Sequence, residues 1–331
     1  SMSGKSIECL CNAECGRESL LRDENGLLPT EKKTDHPKKI LVIGAGVAGM
    51  EFSRVASLRG HRVVIWEEGP CCGGQLRLAA VPPARHDFDY LADYLQSACT
   101  KAGVRFCFNT RADAQSVFRA VKEQGFDHVV TATGARPVRP GVPSEEGAHI
   151  VQAWDVLKKH ADTGSDVVVV GGGAVGIETA ILLGEEGTLT PEALRFLTLY
   201  KAEPQEALYE MLNSGSKKVT VVEMLDKAGR DIGKTTRWIM MDRLRKLGVR
   251  ICTGTRLTEI KRDRVVVEGP DGAEEIPADT VVLAIGSKAD RGLYEEIEKE
   301  FHEVSLIGDA CTPGKAMDAL REAYDLGISM N

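Results

Sequence analysis

Lys39-Ile40-Leu41-Val42-Ile43-Gly44-Ala45-Gly46-Val47-Ala48-Gly49 is a short β-branched run that breaks into Gly-x-Gly-x-x-Gly and then into a helical pattern. A strand buried on both faces of a parallel sheet reads as such a run, and a dinucleotide pyrophosphate needs such a turn. Gly44 permits the tight turn, Gly46 lets the backbone approach the phosphates, and Gly49 lets the following helix lie close to the strand. The pyrophosphate would rest on backbone N–H groups of the Ala45, Val47 and Ala48 region, at the positive end of that helix. A lone glycine pattern is weak, because loops reuse it. Here both flanks agree, and the pattern returns as Gly171-Gly172-Gly173-Ala174-Val175-Gly176 after Val167-Val168-Val169-Val170. Two dinucleotide sites in one chain is the expectation that the remaining features must meet.

Each glycine turn is followed by a second strand that ends in an acid. Arg62-Val63-Val64-Ile65-Trp66 runs into Glu67-Glu68, where a carboxylate would hold the hydroxyls of an adenosine ribose. Glu67 is the expected ribose ligand, with Glu68 as the alternative. Lys218-Val219-Thr220-Val221-Val222 ends in Glu223. An acid there accepts from a free 2′-hydroxyl and repels a 2′-phosphate, which favours NADH over NADPH. Two further strands end in small-residue turns on the ligand side of a parallel sheet, Ala132-Thr133-Gly134 and Ala284-Ile285-Gly286. Val304 to Ile307 leads into Gly308-Asp309, an aspartate that could accept from the ribityl chain of a flavin.

At 331 residues the chain has room for two domains, and its 43% hydrophobic content is that of a globular protein. A net charge of −7 argues against a nucleic-acid partner, and 5% aromatics leave little for base stacking. No apolar run reaches membrane-spanning length, and no signal-peptide pattern opens the chain. Nine scattered cysteines do not read as a secreted disulfide framework, so a reducing, cytoplasmic location is expected. Ser1-Met2 reads as an expression remnant, which implies a piece of a longer protein.

Cys9, Cys11 and Cys15 cluster in a polar N-terminal stretch, but thiolate sites usually want four ligands. A loose tail with free thiols competes with metal ligation there. Cys71-Cys72 precede the twin glycines of a loop, Gly73-Gly74-Gln75-Leu76, suited to close approach of a flat or phosphorylated group. Adjacent cysteines bridge only with strain, so a redox role for this pair is disfavoured. The long gap between Gly176 and Glu223 carries two helix starts, Thr190-Pro191-Glu192 and Pro204-Gln205-Glu206. Ala193, Phe196, Leu197, Leu208, Met211 and Leu212 are expected to pack this helical hairpin onto its domain.

The order of these motifs resembles the two-dinucleotide-binding-domain flavoproteins. More closely it is similar to the C-terminal FAD/NAD(P)-binding portion of the 2,4-dienoyl-CoA reductase / 2-enoate reductase family, iron–sulfur relatives of old yellow enzyme. The phrases Ala79-Ala80-Val81-Pro82-Pro83, Ala153-Trp154-Asp155-Val156-Leu157, Val222-Glu223-Met224-Leu225 and Gly233-Lys234-Thr235-Thr236 add to the likeness, which extends from about residue 4 to 331. The resemblance implies an α/β chain with two Rossmann-like domains, the NADH domain inserted in the FAD domain, as in pyridine nucleotide-disulfide oxidoreductases. The expected boundaries are a tail at 1–37, an FAD domain at 38–150 and 288–331, and an NADH domain at 151–287 with a helical insert at 184–216.

The same resemblance assigns Gly44, Ala45, Gly46, Val47, Ala48, Gly49, Glu67, Glu68, Gly74, Gln75, Leu76, Ala132, Thr133, Gly134, Gly308 and Asp309 to FAD. It assigns Gly171, Gly172, Gly173, Ala174, Val175, Gly176, Glu178, Glu223, Ala284 and Gly286 to NADH, with Glu178 in support near the nicotinamide. In that family a preceding barrel carries FMN and reduces enoate or enoyl-CoA substrates, and a [4Fe–4S] cluster lies between the two halves. Cys9 matches the fourth cluster ligand in the segment around Gly4-Lys5-Ser6-Ile7-Glu8-Cys9; the other three ligands and the barrel are absent from this sequence. The activity implied is hydride transfer from NADH to FAD, which requires no general acid and no nucleophile, and a homo-oligomer is left open as a partner. The alternative is a nucleotide-binding electron-transfer or structural module without turnover, since some relatives hold only ADP in the flavin site.

Overall fold

The computed structural model describes residues 7–331; Ser1-Met2 and Gly4-Lys5-Ser6 lie outside the described residues. The chain divides into two compact units. The first takes the chain as far as Ala80, then Arg85–Arg136 and Ser287–Asn331, and the second holds Pro137–Gly286 with the short stretch Val81–Ala84.

The sheet of the first unit has five parallel strands. Their order is Val304–Leu306, His128–Thr131, Lys39–Ile43, Arg62–Trp66, Arg105–Cys107. Alternate residues of the central strand serve opposite faces. Ile40 and Val42 join Met50, Phe52, Leu91 and Leu95 from the helices Val47–Leu58 and Asp87–Ala102. Leu41 and Ile43 join Val117, Ala120 and Ile297 from Ala114–Gln124 and Gly292–Glu298. Both faces are covered, so Ile40–Ile43 leaves no place for a polar residue, and each buried aliphatic side chain contributes about 1.5–3 kcal/mol.

The second sheet repeats the design, with parallel strands in the order Ile150–Gln152, Thr280–Leu283, Asp166–Val170, Lys218–Val222, Arg250–Cys252. Val167 and Val169 face the helices Ala174–Glu185 and Lys234–Lys246, while Val168 and Val170 face a three-stranded antiparallel sheet. That small sheet, Arg256–Ile260, Arg264–Gly269 and Gly272–Pro277, replaces the helix that makes the corresponding crossover in the first unit. The two units also differ in their fifth strand, which comes last in the chain in the first and first in the second. Ile150–Gln152 pairs with Val281–Leu283 and so belongs to the second unit's sheet.

Three local expectations need correction. The N-terminal segment from Ile7 on is not a loose tail. Ala13 is buried against Val55, Leu320 and Tyr324, and the Tyr324 hydroxyl donates to Glu14 Oε1 at 2.7 Å. Arg17 to Asp325 (2.6 Å) and Arg321 to Glu8 (2.8 Å) hold it further to the C-terminal helix Ala316–Ser329. Second, the loop at Gly73-Gly74 turns at once into a short helix, Gln75–Ala79, rather than continuing as loop. Third, the helical hairpin Pro191–Tyr200 and Gln205–Asn213 buries Leu208 but leaves Phe196 58% and Leu199 70% exposed. A two-helix layer has one side against its unit and one against solvent, and its aromatic residues lie on the latter. Among the described residues no helix is long and apolar enough to cross a membrane.

Candidate functional site

The two glycine turns share one geometry. Gly44 has φ +104° and Gly171 φ +106°, a region open to glycine alone at no cost, and a Cβ there would run into the carbonyl of Ala132 or Ala284 respectively. A Cβ on Gly49 or Gly176 would collide with the carbonyl of Gly44 or Gly171, so the third glycine sets how closely helix and turn pack. The middle glycine differs in kind. A Cβ on Gly46 would meet nothing within 4 Å, so this position is an open cradle beside the N-terminus of Val47–Leu58.

The acids at the ends of the second strands are clamped the same way. Glu67 Oε2 accepts from Ala45 N–H at 2.7 Å and Oε1 from Gly69 N–H at 2.8 Å. Glu223 Oε2 accepts from Gly172 N–H at 2.6 Å and Oε1 from Leu225 N–H at 2.7 Å. Each carboxylate is thus held by two backbone donors, and each oxygen keeps a lone pair for a further donor such as a ribose hydroxyl. Glu68 is exposed and takes no part in this clamp, so Glu67 is the residue the turn engages.

The other expected residues fall into two groups. Gly308 sits at φ +67°, and a Cβ on it would lie 2.7 Å from Ala48 Cβ, which places Gly308-Asp309 directly against the first glycine turn. Asp309 accepts from Gln75 Nε2 at 2.8 Å and from Gly314 N–H at 3.0 Å, and Gly74 approaches Gly46. Ala132, Thr133 and Gly134 leave their strand beside Gly44, with the Thr133 hydroxyl donating to the Asp290 carbonyl at 3.0 Å. Leu76 is buried in the core and serves packing. In the second unit Ala284 lies against Gly171, Gly286 has φ +93°, Val175 is exposed, and Glu178 is half-buried on the helix.

Sequence reading missed two carboxylates here. Glu322, on the C-terminal helix, accepts from Gly308 N–H at 2.8 Å and so fixes the Gly-Asp turn. Asp231 accepts from Ala174 N–H, with its two oxygens at 3.1 and 3.0 Å. Neither belongs to a local motif; only the fold brings them to the turns.

The donor sets decide which groups the chain can hold. An open cradle at Gly46, a fixed carboxylate at Glu67 and an acceptor at Asp309 fit the pyrophosphate, ribose and ribityl parts of FAD. Cys9 is half-buried, and among the described residues no group of three or more His, Cys, Asp or Glu is placed to hold a metal. Cys71 and Cys72 are free thiols, the first exposed and the second buried, with the Cys72 thiol pushed up by burial.

Residues 38–311 match the family described as pyridine nucleotide-disulphide oxidoreductase. The chain is 48% identical over 324 residues to a metal reductase of Desulforamulus reducens, covering 98% of this chain and 47% of that protein. It is 33% identical over 326 residues to an NADH oxidase of Thermoanaerobacter brockii, covering 97% of this chain and 44% of that one. Among solved structures, a 2-naphthoyl-CoA reductase complex superposes with a TM-score of 0.79 at 27% identity, over 98% of this chain and 44% of the other. The chain therefore spans about half the length of the relatives it matches. Twin glycine turns, clamped acids and these matches converge: the chain belongs to the pyridine nucleotide-disulphide oxidoreductase family, with enoate and aromatic-CoA reductases among its relatives.

Proposed function

We propose that the first unit holds FAD, that the second takes NADH in preference to NADPH, and that the chain moves reducing equivalents from one to the other. The observation that carries this reading is the repeated clamp, Glu67 on Ala45 and Glu223 on Gly172, in two turns of one geometry. Gly44 to Gly49 and Glu67 would bind the adenosine diphosphate part of FAD, and Asp309 with Gln75 would orient its ribityl chain. Flavin, when bound, supplies a two-electron acceptor for hydride; the protein supplies position and electrostatics. Glu223 accepts from the nucleotide's 2′-hydroxyl and repels a 2′-phosphate. Its backbone clamp holds the carboxylate before the nucleotide arrives, so little ordering is needed on binding.

The relatives are about twice as long and include a 2-naphthoyl-CoA reductase. We read the chain as the nucleotide-oxidising module of a longer reductase whose further domain, an FMN barrel acting on enoate or enoyl-CoA substrates, receives the electrons. A cytoplasmic location accords with nine free cysteines.

The test is anaerobic mixing of the purified protein with NADH and, separately, NADPH, followed by flavin absorbance. Fast bleaching by NADH and little by NADPH is expected. Glu223→Gln should cut the NADH-over-NADPH preference about tenfold, the ~1.4 kcal/mol expected of one charge-assisted hydrogen bond. A protein that cannot take up FAD would sink the flavoenzyme reading and leave a nucleotide-binding module.

A further inference from the structure

The two glycine turns share their backbone geometry and their carboxylate clamp, and they differ where a pyrophosphate would sit. In the first unit the N-terminus of Val47–Leu58 is open, since a Cβ on Gly46 would meet nothing within 4 Å and among the described residues no side chain accepts from Val47 N–H. In the second, Ala174 N–H, the counterpart of Val47 N–H, donates to the Asp231 carboxylate at 3.1 and 3.0 Å. A Cβ on Gly173 would lie 3.3 Å from Asp231 Oδ2. The carboxylate occupies the cradle.

The repeat also shows where Asp231 comes from. Gly73 N–H donates to the Ala45 carbonyl at 2.8 Å, and Gly229 N–H donates to the Gly172 carbonyl at 2.6 Å, so these two loops return to the same point of their turns. Two residues on, the first unit has Gln75, neutral and turned to Asp309; the second has Asp231, charged and turned into the turn. The loop around it is anchored on both sides. Ala228 is buried, its carbonyl accepts from Arg237 Nε at 2.9 Å, and Ile232 packs on the core. Asp231 itself is exposed, so its carboxylate can leave by side-chain rotation with the loop in place.

We propose that Asp231 is an internal anion that fills the pyrophosphate cradle of the second unit until a dinucleotide displaces it, and that it sets the affinity for NADH. The proposal rests on the reading of the second unit as the NADH site. A carboxylate and a phosphate want the same N–H and the same end of the helix dipole, so only one can be there. The bound nucleotide gains those contacts only by breaking the ones Asp231 already makes, and it then has a displaced negative charge beside its own. The adenosine part, held at Glu223, feels neither effect.

The test is calorimetric titration of the wild type and Asp231→Asn with NADH, ADP-ribose and adenosine at fixed ionic strength. Asn keeps an acceptor of the same shape and removes the charge. Kd for NADH and ADP-ribose should fall threefold to tenfold in Asp231→Asn, with Kd for adenosine unchanged. Equal Kd values for the two proteins, or weaker NADH binding by the variant, would overturn the proposal. Tightening of adenosine by the same factor would also overturn it, since the effect would then lie away from the pyrophosphate. If neither protein binds NADH while both take up FAD, the NADH reading of the second unit fails instead, and the proposal with it.

Discussion

Gly44 and Gly46 stand two residues apart and should fail in different ways. Ala at Gly44 meets both a forbidden φ and the Ala132 carbonyl, so Gly44→Ala should lower the stability of the flavin-free protein by about 1–3 kcal/mol. Ala at Gly46 meets nothing in the protein, so Gly46→Ala should leave the flavin-free Tm within about 2 °C and still lose FAD, because its methyl fills the cradle. Thermal melts with and without FAD separate the two. These glycines were legible in sequence because their spacing is local; Asp231 and Glu322 were not, because each reaches its turn from a distant segment. Replacing Asp231 by Asn should cost the nucleotide-free protein about 0.5 kcal/mol, the ordinary worth of an anion at a helix start. Two histidines of the first unit add a pH dependence. Burial holds His61 and His128 below the usual imidazole range, and His61 Nδ1 accepts from Lys38 N–H at 3.0 Å. The unfolded chain binds protons near pH 6.5 that these native rings refuse, so stability is full above that pH and lost as pH falls through it. Urea midpoints should drop between pH 7.5 and 5.5, with a shallower slope in His61→Gln. An unchanged slope would assign the loss to other groups.

At the scale of elements, β-branched runs located the central strands, as with Arg62–Trp66 and Lys218–Val222. Periodicity failed where the partner was not local. The helical hairpin has apolar residues at helical spacing, yet its exposed side carries Phe196, Leu199, Tyr200 and Tyr209. Spacing reports that a helix is amphipathic, not which face finds a neighbour. The N-terminal segment reads as polar, and its packing comes from a few scattered residues, Leu10, Ala13 and Leu21, and from ion pairs to a helix some 300 positions away in sequence. Tyr324→Phe removes the bond to Glu14 and should cost about 1 kcal/mol. Limited proteolysis should then release residues 7–37 sooner than in the wild type, while the glycine turns keep their ligands. No change in cleavage would mean that the ion pairs suffice.

Each unit of the molecule has its own core and its own proposed nucleotide. FAD should therefore raise one melting transition and NAD+ the other, by the amount that binding to the native state alone contributes, about 2.7 kcal/mol at a hundredfold excess over Kd. A calorimetric scan with each ligand in turn checks this, and a single transition shifted by both would mean that the two units unfold together. Duplication was visible in sequence because the glycine turn and the strand-end acid recur. The edge strand Ile150–Gln152 was less so, since only its pairing with Val281–Leu283 sets it apart from a connecting stretch. The placing of the fifth strand also bears on how the protein is made. Emerging from the ribosome, the second sheet has all its strands once Leu283 is out, whereas the first, begun at Lys39, waits for Val304–Leu306. The unit started first is thus the one completed last, its edge at His128–Thr131 left open through the synthesis of the whole interior unit. During that interval the nascent chain carries an unpaired parallel edge, the part of its surface most exposed to chaperones and to wrong partners.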